Sequence, residues 1–359
     1  MINLEHTELP FWLLRNGNPV IRFRTLVDML HEEDVGVVSE ALEDLLKEEE
    51  VRLWLDRLIP EFDLNQVHSS RETAFENVMG KLVQLGMRAG LQPFDNKTLP
   101  HRVWLSENNE AEPIEPHFVF KKSVLASLLS YAGYGSTKPV RDHLFSRLTA
   151  MNQFAINPSF DIIFVDKSEF NGIPKTAQEH GLVNPELYLN QNFRLPWIYD
   201  IRGLAFCQNI LENPTLKERC ERVISLILTE EYQNLPRSYG IAKYGEKYYV
   251  LGWAVQLPGY KDGFEHLTSG ELLLTLEMMA SFSTARNSEW FQNAMEYLEG
   301  FRTDSGTYLF PKELLTDNKE GYWINGLRMG LEKNRETQSA LEIDSTFWMI
   351  HIKKLIGPR

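Results

Sequence analysis

The stretch "KSVLASLLSYAG" (Lys122–Gly133) is apolar on nearly every side of a helix, whereas "PVRDHLFSRLTAM" (Pro139–Met151), one turn later, carries charge along a stripe. A helix of the first kind is covered by neighbours all round, and one of the second kind faces water on one side. The pairing recurs as "WIYDIRGLAFCQNIL" (197–211) with "TLKERCERVISLIL" (215–228), and as "GELLLTLEMMASF" (270–282) with "SEWFQNAMEYLEGF" (288–301). Val124, Ile201, Leu272 and Thr346, one mark on each apolar helix, lie 77, 71 and 74 residues apart. A period near seventy fits a helix pair plus its loop.

Further helices are expected over 72–85 and from Pro19, which Asn18 can cap because a first-position proline gives up only an amide with no partner. The fold class that follows is all-α: an α/α toroid of about five or six helical hairpins, apolar helices inside and amphipathic ones outside. The whole chain, 1–359, reads as a single toroid domain, with 1–120 as a more divergent part and 121–359 as the clearer repeats. Residues 86–120 and 152–196 read as long irregular connections. "FDIIFV" (160–165) and "EKYYVLGWAVQL" (246–257) read as short β-hairpins in loops.

Fifty acidic against 37 basic residues give a net charge of −13, which repels a phosphate backbone and excludes nucleic acid as the expected partner. Much of the acid lies in "HEEDVGVVSEALEDLLKEEEVRLWLD" (31–56), where Val38, Leu42, Leu45 and Leu46 keep helical spacing and the carboxylates take the wet faces. No apolar run approaches the length of a membrane span, so no membrane insertion is expected. "MINLEHTELP" lacks the features of a secretory leader. With only Cys207 and Cys220 present, no disulfide framework is implied, and a cytoplasmic location is the expectation.

"AMEYLEGFRTDSGTYLF" (294–310) and "EIDSTF" (342–347) carry a resemblance. With the paired helices, they resemble the terpenoid cyclase and protein prenyltransferase superfamily of α/α toroids. In that family a turn runs Gln, then Gly-x-Trp; here Arg302 stands at the Gln position, Gly306 is kept and Tyr308 stands at the Trp position. Family members that protonate an alkene carry Asp-x-Asp-Asp-Thr. By that resemblance Asp344 is the candidate general acid, Glu342 its modulator, and Ser345 replaces the third carboxylate. The function implied is acid-initiated chemistry on a small isoprenoid in a central aromatic-lined cavity, without a cofactor. Read from the residues alone, Ser339 and Glu342 form a capping box and Asp344 suits the start of a helix.

Aromatic faces can stabilise a carbocation without supplying a base, and Trp253, Trp323 and Trp348 are the candidate cavity walls. The zinc site of the prenyltransferases has no counterpart. Asp200 and Cys207, the nearest set with His266, would stand about 10 Å apart along a helix, so no metal is expected. A second enzyme class uses such barrels for carbohydrate hydrolysis or elimination, and "LPGYKDGFEHL" (257–267) groups Tyr260, Asp262, Glu265 and His266 for it, with His117 as a further base. The third class is a non-catalytic toroid that binds a small apolar or sugar ligand, or a protein, and it is compatible with a homo-oligomer.

Overall fold

The computed structural model describes residues 8–59, 61–108, 115–189, 192–318, 320–333 and 336–357. The stretch Met1–Thr7, read for a leader, lies outside them. The chain opens with α1 (Leu9–Asn16) and α2 (Pro19–Arg24), the latter continuing as a π-helical turn through Leu30. Asn18 caps α2 by accepting from the Ile21 amide at 2.9 Å, with Pro19 at the first position as its sequence requires. The acidic stretch forms two helices, α3 (Val35–Lys47) and α4 (Glu49–Arg57). Leu45 is fully buried there, while Val38, Leu42 and Leu46 are partly covered.

These lead to α5 (Phe75–Gln84) and α6 (Gln92–Glu107), then α7 (Pro116–Leu129), paired with α8 (Lys138–Ile156), and α6 packs on both α7 and α8. Next come α9 (Ile198–Ala205), the one-turn α10 (Gln208–Leu211), α11 (Pro214–Ile227) and the one-turn α12 (Glu230–Gln233). The chain ends with α13 (Glu271–Met279), the one-turn α14 (Ser283–Arg286), α15 (Glu289–Glu299) and α16 (Gln338–Ile356). Every residue of α9 is buried, and in α7 only His117 and Phe118 are not. Helices α11 and α15 each bury one stripe and leave the other wet. Helix α7 packs on α5 and α9, α9 on α13, α13 on α16, and α16 on α1 and the turn after α2. Arg24 reaches from α2 to α5, donating to the Gln84 carbonyl at 3.0 Å.

Three sequence expectations change. The connection 86–120 contains α6, which hides from apolar periodicity because half of its buried stripe is polar: Thr98 and His101 lie between Phe94 and Leu105. Helix α16 begins earlier than its capping box implies. Thr337 caps it by accepting from Ala340 at 3.3 Å, and Glu342 instead accepts from the Thr307 hydroxyl. The strand pieces do not stay as separate hairpins. Strands β1 (Phe164–Val165), β2 (Leu182–Val183), β3 (Ile241–Tyr244) and β4 (Lys247–Val250) form one small sheet in that order, antiparallel except for β2 beside β3.

The inner helices meet over a buried charged network rather than over apolar side chains alone. Glu277 on α13 accepts from Arg202 on α9 at 3.0 Å and from the Tyr131 hydroxyl after α7 at 3.0 Å. His351 on α16 lies 3.0 Å from the same carboxylate and 3.4 Å from the Arg24 guanidinium. Arg24 also binds Asp28 at 2.8 Å, and Arg88 binds Asp28 at 2.7 Å. Burial alone would raise the Glu277 carboxyl, but the His351 hydrogen bond and the Arg202 and Arg24 charges outweigh it and hold it at about 2. Trp323 closes the same region, its indole under the Arg202 guanidinium at 4.8 Å. A Cβ on Gly80 would overlap that indole, so α5 needs glycine there.

Replacing Glu277 with Ala leaves the buried Arg202 guanidinium without its carboxylate and should cost about 3–5 kcal/mol in urea unfolding. Because the folded Glu277 is depressed from 4.5 to about 2, the stabilisation is complete above pH 4.5 and is lost as pH falls toward 2. Acid unfolding of Glu277→Gln should therefore show a shallower pH dependence over that window.

Candidate functional site

The beginnings of α5, α7 and α9 and the loops around residues 253 and 322 converge on His68. Asn77 sets the loop that carries it. Its amide nitrogen donates to the carbonyls of Ser69 at 3.1 Å and Arg71 at 2.7 Å, and its oxygen accepts from the Trp323 amide at 2.6 Å. The Gly321 amide adds a bond to the Ser70 carbonyl at 3.0 Å. Two loops distant in sequence are thus pinned to one helix start.

Glu76, next to Asn77 and fully buried in the first turn of α5, takes the Nδ1 edge of His68 at 2.6 Å. The helix start favours a negative charge at that position. The Tyr199 hydroxyl, from the first turn of α9, stands 3.3 Å from the same nitrogen and also bonds Glu76. Burial first, and then the Glu76 charge, raise the Tyr199 phenol well above its ordinary range, so it keeps its proton. A carboxylate at Nδ1 assigns the ring proton to that nitrogen and leaves Nε2 as the lone-pair nitrogen of the neutral imidazole. Among the described residues Nε2 has no hydrogen-bond partner, and the side chain is 16% exposed.

Aromatic rings enclose His68. Tyr322 stacks on it at 4.6 Å, while Phe120 and Trp253 meet it edge-on at 5.0 and 5.4 Å. Trp253 and Tyr322 are both half-buried and pack edge to face at 4.5 Å. Trp253 is held over α9 because its carbonyl accepts from the Ile198 amide at 3.1 Å. Arg237 lies 5.7 Å over the Trp253 ring and binds Glu271 at 2.8 Å and Asn325 at 2.9 Å. The arrangement is a carboxylate-oriented imidazole with one accessible nitrogen beside two partly open aromatic faces. Such a unit can accept or deliver a proton at a ligand held against the rings.

The residues singled out from the sequence fall elsewhere, apart from Trp253. Asp344 is fully buried within α16, and its oxygens accept from the amides of Leu331 at 3.1 Å and Glu332 at 2.9 Å. That loop in turn grips Asn18: the Leu331 carbonyl accepts from the Asn18 side chain at 2.7 Å and the Glu332 carboxylate from its amide at 2.6 Å. Ser345 and Thr346 accept from the amides of Phe310 and Tyr308, each at 2.9 Å. With Glu342 on Thr307, "EIDST" staples two loops to α16. The turn that resembles Gly-x-Trp is closed by the Arg302 and Tyr308 backbones, with Gly306 at φ 86°.

Trp323 and Trp348 are fully buried in packed surroundings, and Trp348 donates to the Met329 carbonyl at 3.3 Å. Tyr260 is half-buried and donates to the Leu228 carbonyl at 3.1 Å, whereas Asp262, Glu265 and His266 are exposed on their loop. Asp200 of the dismissed metal set is committed to a buried pair with Arg147 at 2.8 Å, and Cys207 donates to the Gly135 carbonyl at 3.3 Å. His117 is half-buried beside Tyr249, and burial followed by the Lys121 charge holds it below its ordinary range. His68, Glu76 and Tyr199 were not legible as a set, since 131 residues separate His68 from Tyr199. No family model, curated protein or solved structure matches the chain.

Removing the Asp344 carboxylate leaves two amides of a buried loop unpaired. Asp344→Ala should lose about 1–3 kcal/mol in denaturant unfolding, and Asp344→Asn, which retains one acceptor oxygen, should lose less.

Proposed function

We propose that the helices close into an α/α toroid of the kind implied by the resemblance to terpenoid cyclases and prenyltransferases, and that its function resides at the mouth around His68. Support for the ring comes from the chain of contacts α5, α7, α9, α13, α16 and back to the turn after α2. We place the protein in the cytoplasm, a reading supported by two buried cysteines that are both free thiols. Among the described residues no helix is long and apolar enough to cross a membrane.

The reading favoured for the site is acid–base chemistry on a sugar-like ligand, either hydrolysis or elimination. One observation carries it: His68 is oriented at Nδ1 by the buried Glu76, while its other nitrogen stands beside the half-buried Trp253 and Tyr322. Aromatic faces suit the apolar faces of pyranose rings, and an oriented imidazole suits abstraction of a proton from, or its delivery to, a carbon or oxygen of the ligand. Acid-initiated isoprenoid chemistry through Asp344 has less support, because both carboxylate oxygens already serve backbone amides. The charged network where the inner helices meet also suits no carbocation pathway, since Glu277 and His351 would quench the cation.

The test is a panel of neutral and uronate oligosaccharides, read by reducing-end release, by ultraviolet absorbance of an unsaturated product, and by tryptophan fluorescence. His68→Gln should lower turnover of the active saccharide by about 10²–10⁴-fold with the fold intact. Tyr322→Ala should raise KM more than it lowers kcat. If no saccharide perturbs the fluorescence or is turned over, or if His68→Gln retains full turnover, the reading fails.

A further inference from the structure

One cation close to His68 takes no part in the acid–base chemistry. The Arg237 side chain is 51% exposed, and its guanidinium carbon lies 5.7 Å over the Trp253 ring, which in turn stands 5.4 Å from the His68 ring. One or two sugar residues would span that interval. The guanidinium is set in place through a single nitrogen: Nη2 donates to Glu271 at 2.8 Å and to Asn325 at 2.9 Å. A guanidinium carries five N–H donors, and the rest of them sit on Nε and Nη1. Among the described residues neither of those nitrogens has a hydrogen-bond partner.

The arm that carries Arg237 is fixed to the site at several points. Its backbone carbonyl accepts from the Ala254 amide at 2.8 Å, which ties it to the residue after Trp253. Two residues on, Tyr239 is fully buried with a left-handed backbone, φ 53°, that a bulky side chain adopts only under constraint. The constraint comes from its hydroxyl, which donates to the Pro196 carbonyl at 2.5 Å and shares a hydrogen bond with the Tyr232 hydroxyl. Pro196 lies just ahead of α9, the helix whose first turn supplies Tyr199. Asn325 belongs to the turn that begins at Tyr322, since its amide donates to the Tyr322 carbonyl at 3.1 Å. Arg237 is thus fastened to both loops that carry the half-buried aromatic rings. An arginine serving solubility alone gains nothing from being held, because fixing a long side chain costs rotamer entropy.

A fixed guanidinium matches an oxyanion far better than a neutral hydroxyl, because hydrogen bonds between ionised groups are shorter and stronger. Glu271, 19% exposed, orients the cation and offsets part of its charge, so a second anion gains chiefly from hydrogen bonds to the open donors. We infer that the ligand of the His68 site is an acidic sugar, and that Arg237 binds the carboxylate of a uronate residue lying beside Trp253. The inference rests on the sugar reading and narrows it, since a neutral saccharide would leave those donors to water.

The full-length protein is titrated with galacturonate, mannuronate and glucuronate tetrasaccharides, and with the same saccharides after chemical reduction of their carboxylates to neutral alcohols, following tryptophan fluorescence. The best acidic ligand should bind about tenfold tighter than its reduced form, as one charge-assisted hydrogen bond provides, and the margin should shrink with added salt. Arg237→Gln should remove that margin by weakening the acidic ligand alone, and Arg237→Lys, which keeps the charge, should restore part of it. The comparison of the two ligand forms on the native protein decides the matter if a thermal melt shows that Arg237→Gln does not fold. Equal affinity for both forms, tighter binding of the reduced form, or an equal loss of both in Arg237→Gln overturns the inference and leaves the sugar reading standing. Absence of binding by every saccharide, acidic and reduced, overturns both.

Discussion

The carboxylate of Glu277 is the point on which the inner helices agree. It is buried, and it is reached by side chains from α9, α16 and the turn after α7, with Arg24 of α2 joined through His351. Replacing such a network by apolar residues need not cost stability, since burying charges is itself expensive. What the network adds is register. One guanidinium, a phenol and an imidazole meet one carboxylate at bonding distance in only one set of helix rotations, whereas apolar faces tolerate sliding. We regard that selection as its role, and the buried, unpartnered Arg202 Nε and His351 Nδ1 as part of its cost.

From that registered centre the site geometry follows outward. With α5 and α9 held by their packing on α7, their first turns bring Glu76 and Tyr199 to one place, and Asn77 fastens the loops bearing His68 and Tyr322 above them. A shift of α9 by one residue would carry Tyr199 about 100° around its axis and away from His68. Fold stability and site geometry are therefore coupled, and a substitution at Glu277 should disturb the His68 site without touching it.

The C-terminal helix shows how one motif can serve the fold rather than chemistry. "EIDST" looks like an acid cluster because four of its five side chains are carboxyls or hydroxyls crowded into one helical stretch. In the folded chain each finds a backbone amide or hydroxyl in a neighbouring loop: Glu342 on Thr307, Asp344 on Leu331 and Glu332, Ser345 on Phe310, Thr346 on Tyr308. Loops packed on a buried helix must pair their amides, and short polar side chains are the local means.

Local patterns already specified much of this molecule. The alternation of fully apolar and striped helices, the Asn18–Pro19 start of α2, the acidic helices α3 and α4 and strands β1 and β4 are consequences of neighbours within a few residues, so they could be read along the chain, whereas β2 and β3 lay outside the stretches read as strand. Helix α6 escaped that reading because its buried face is half polar, and Glu342 escaped because its partner is 35 residues away. The His68 site was legible only in fragments: Trp253 was marked as an aromatic wall, but His68, Glu76 and Tyr199 are unremarkable singly. Only the packing of α5 against α7 and α7 against α9 decided that they meet, because hydrogen bonds depend on distances of about 3 Å that no sequence spacing across separate helices can set.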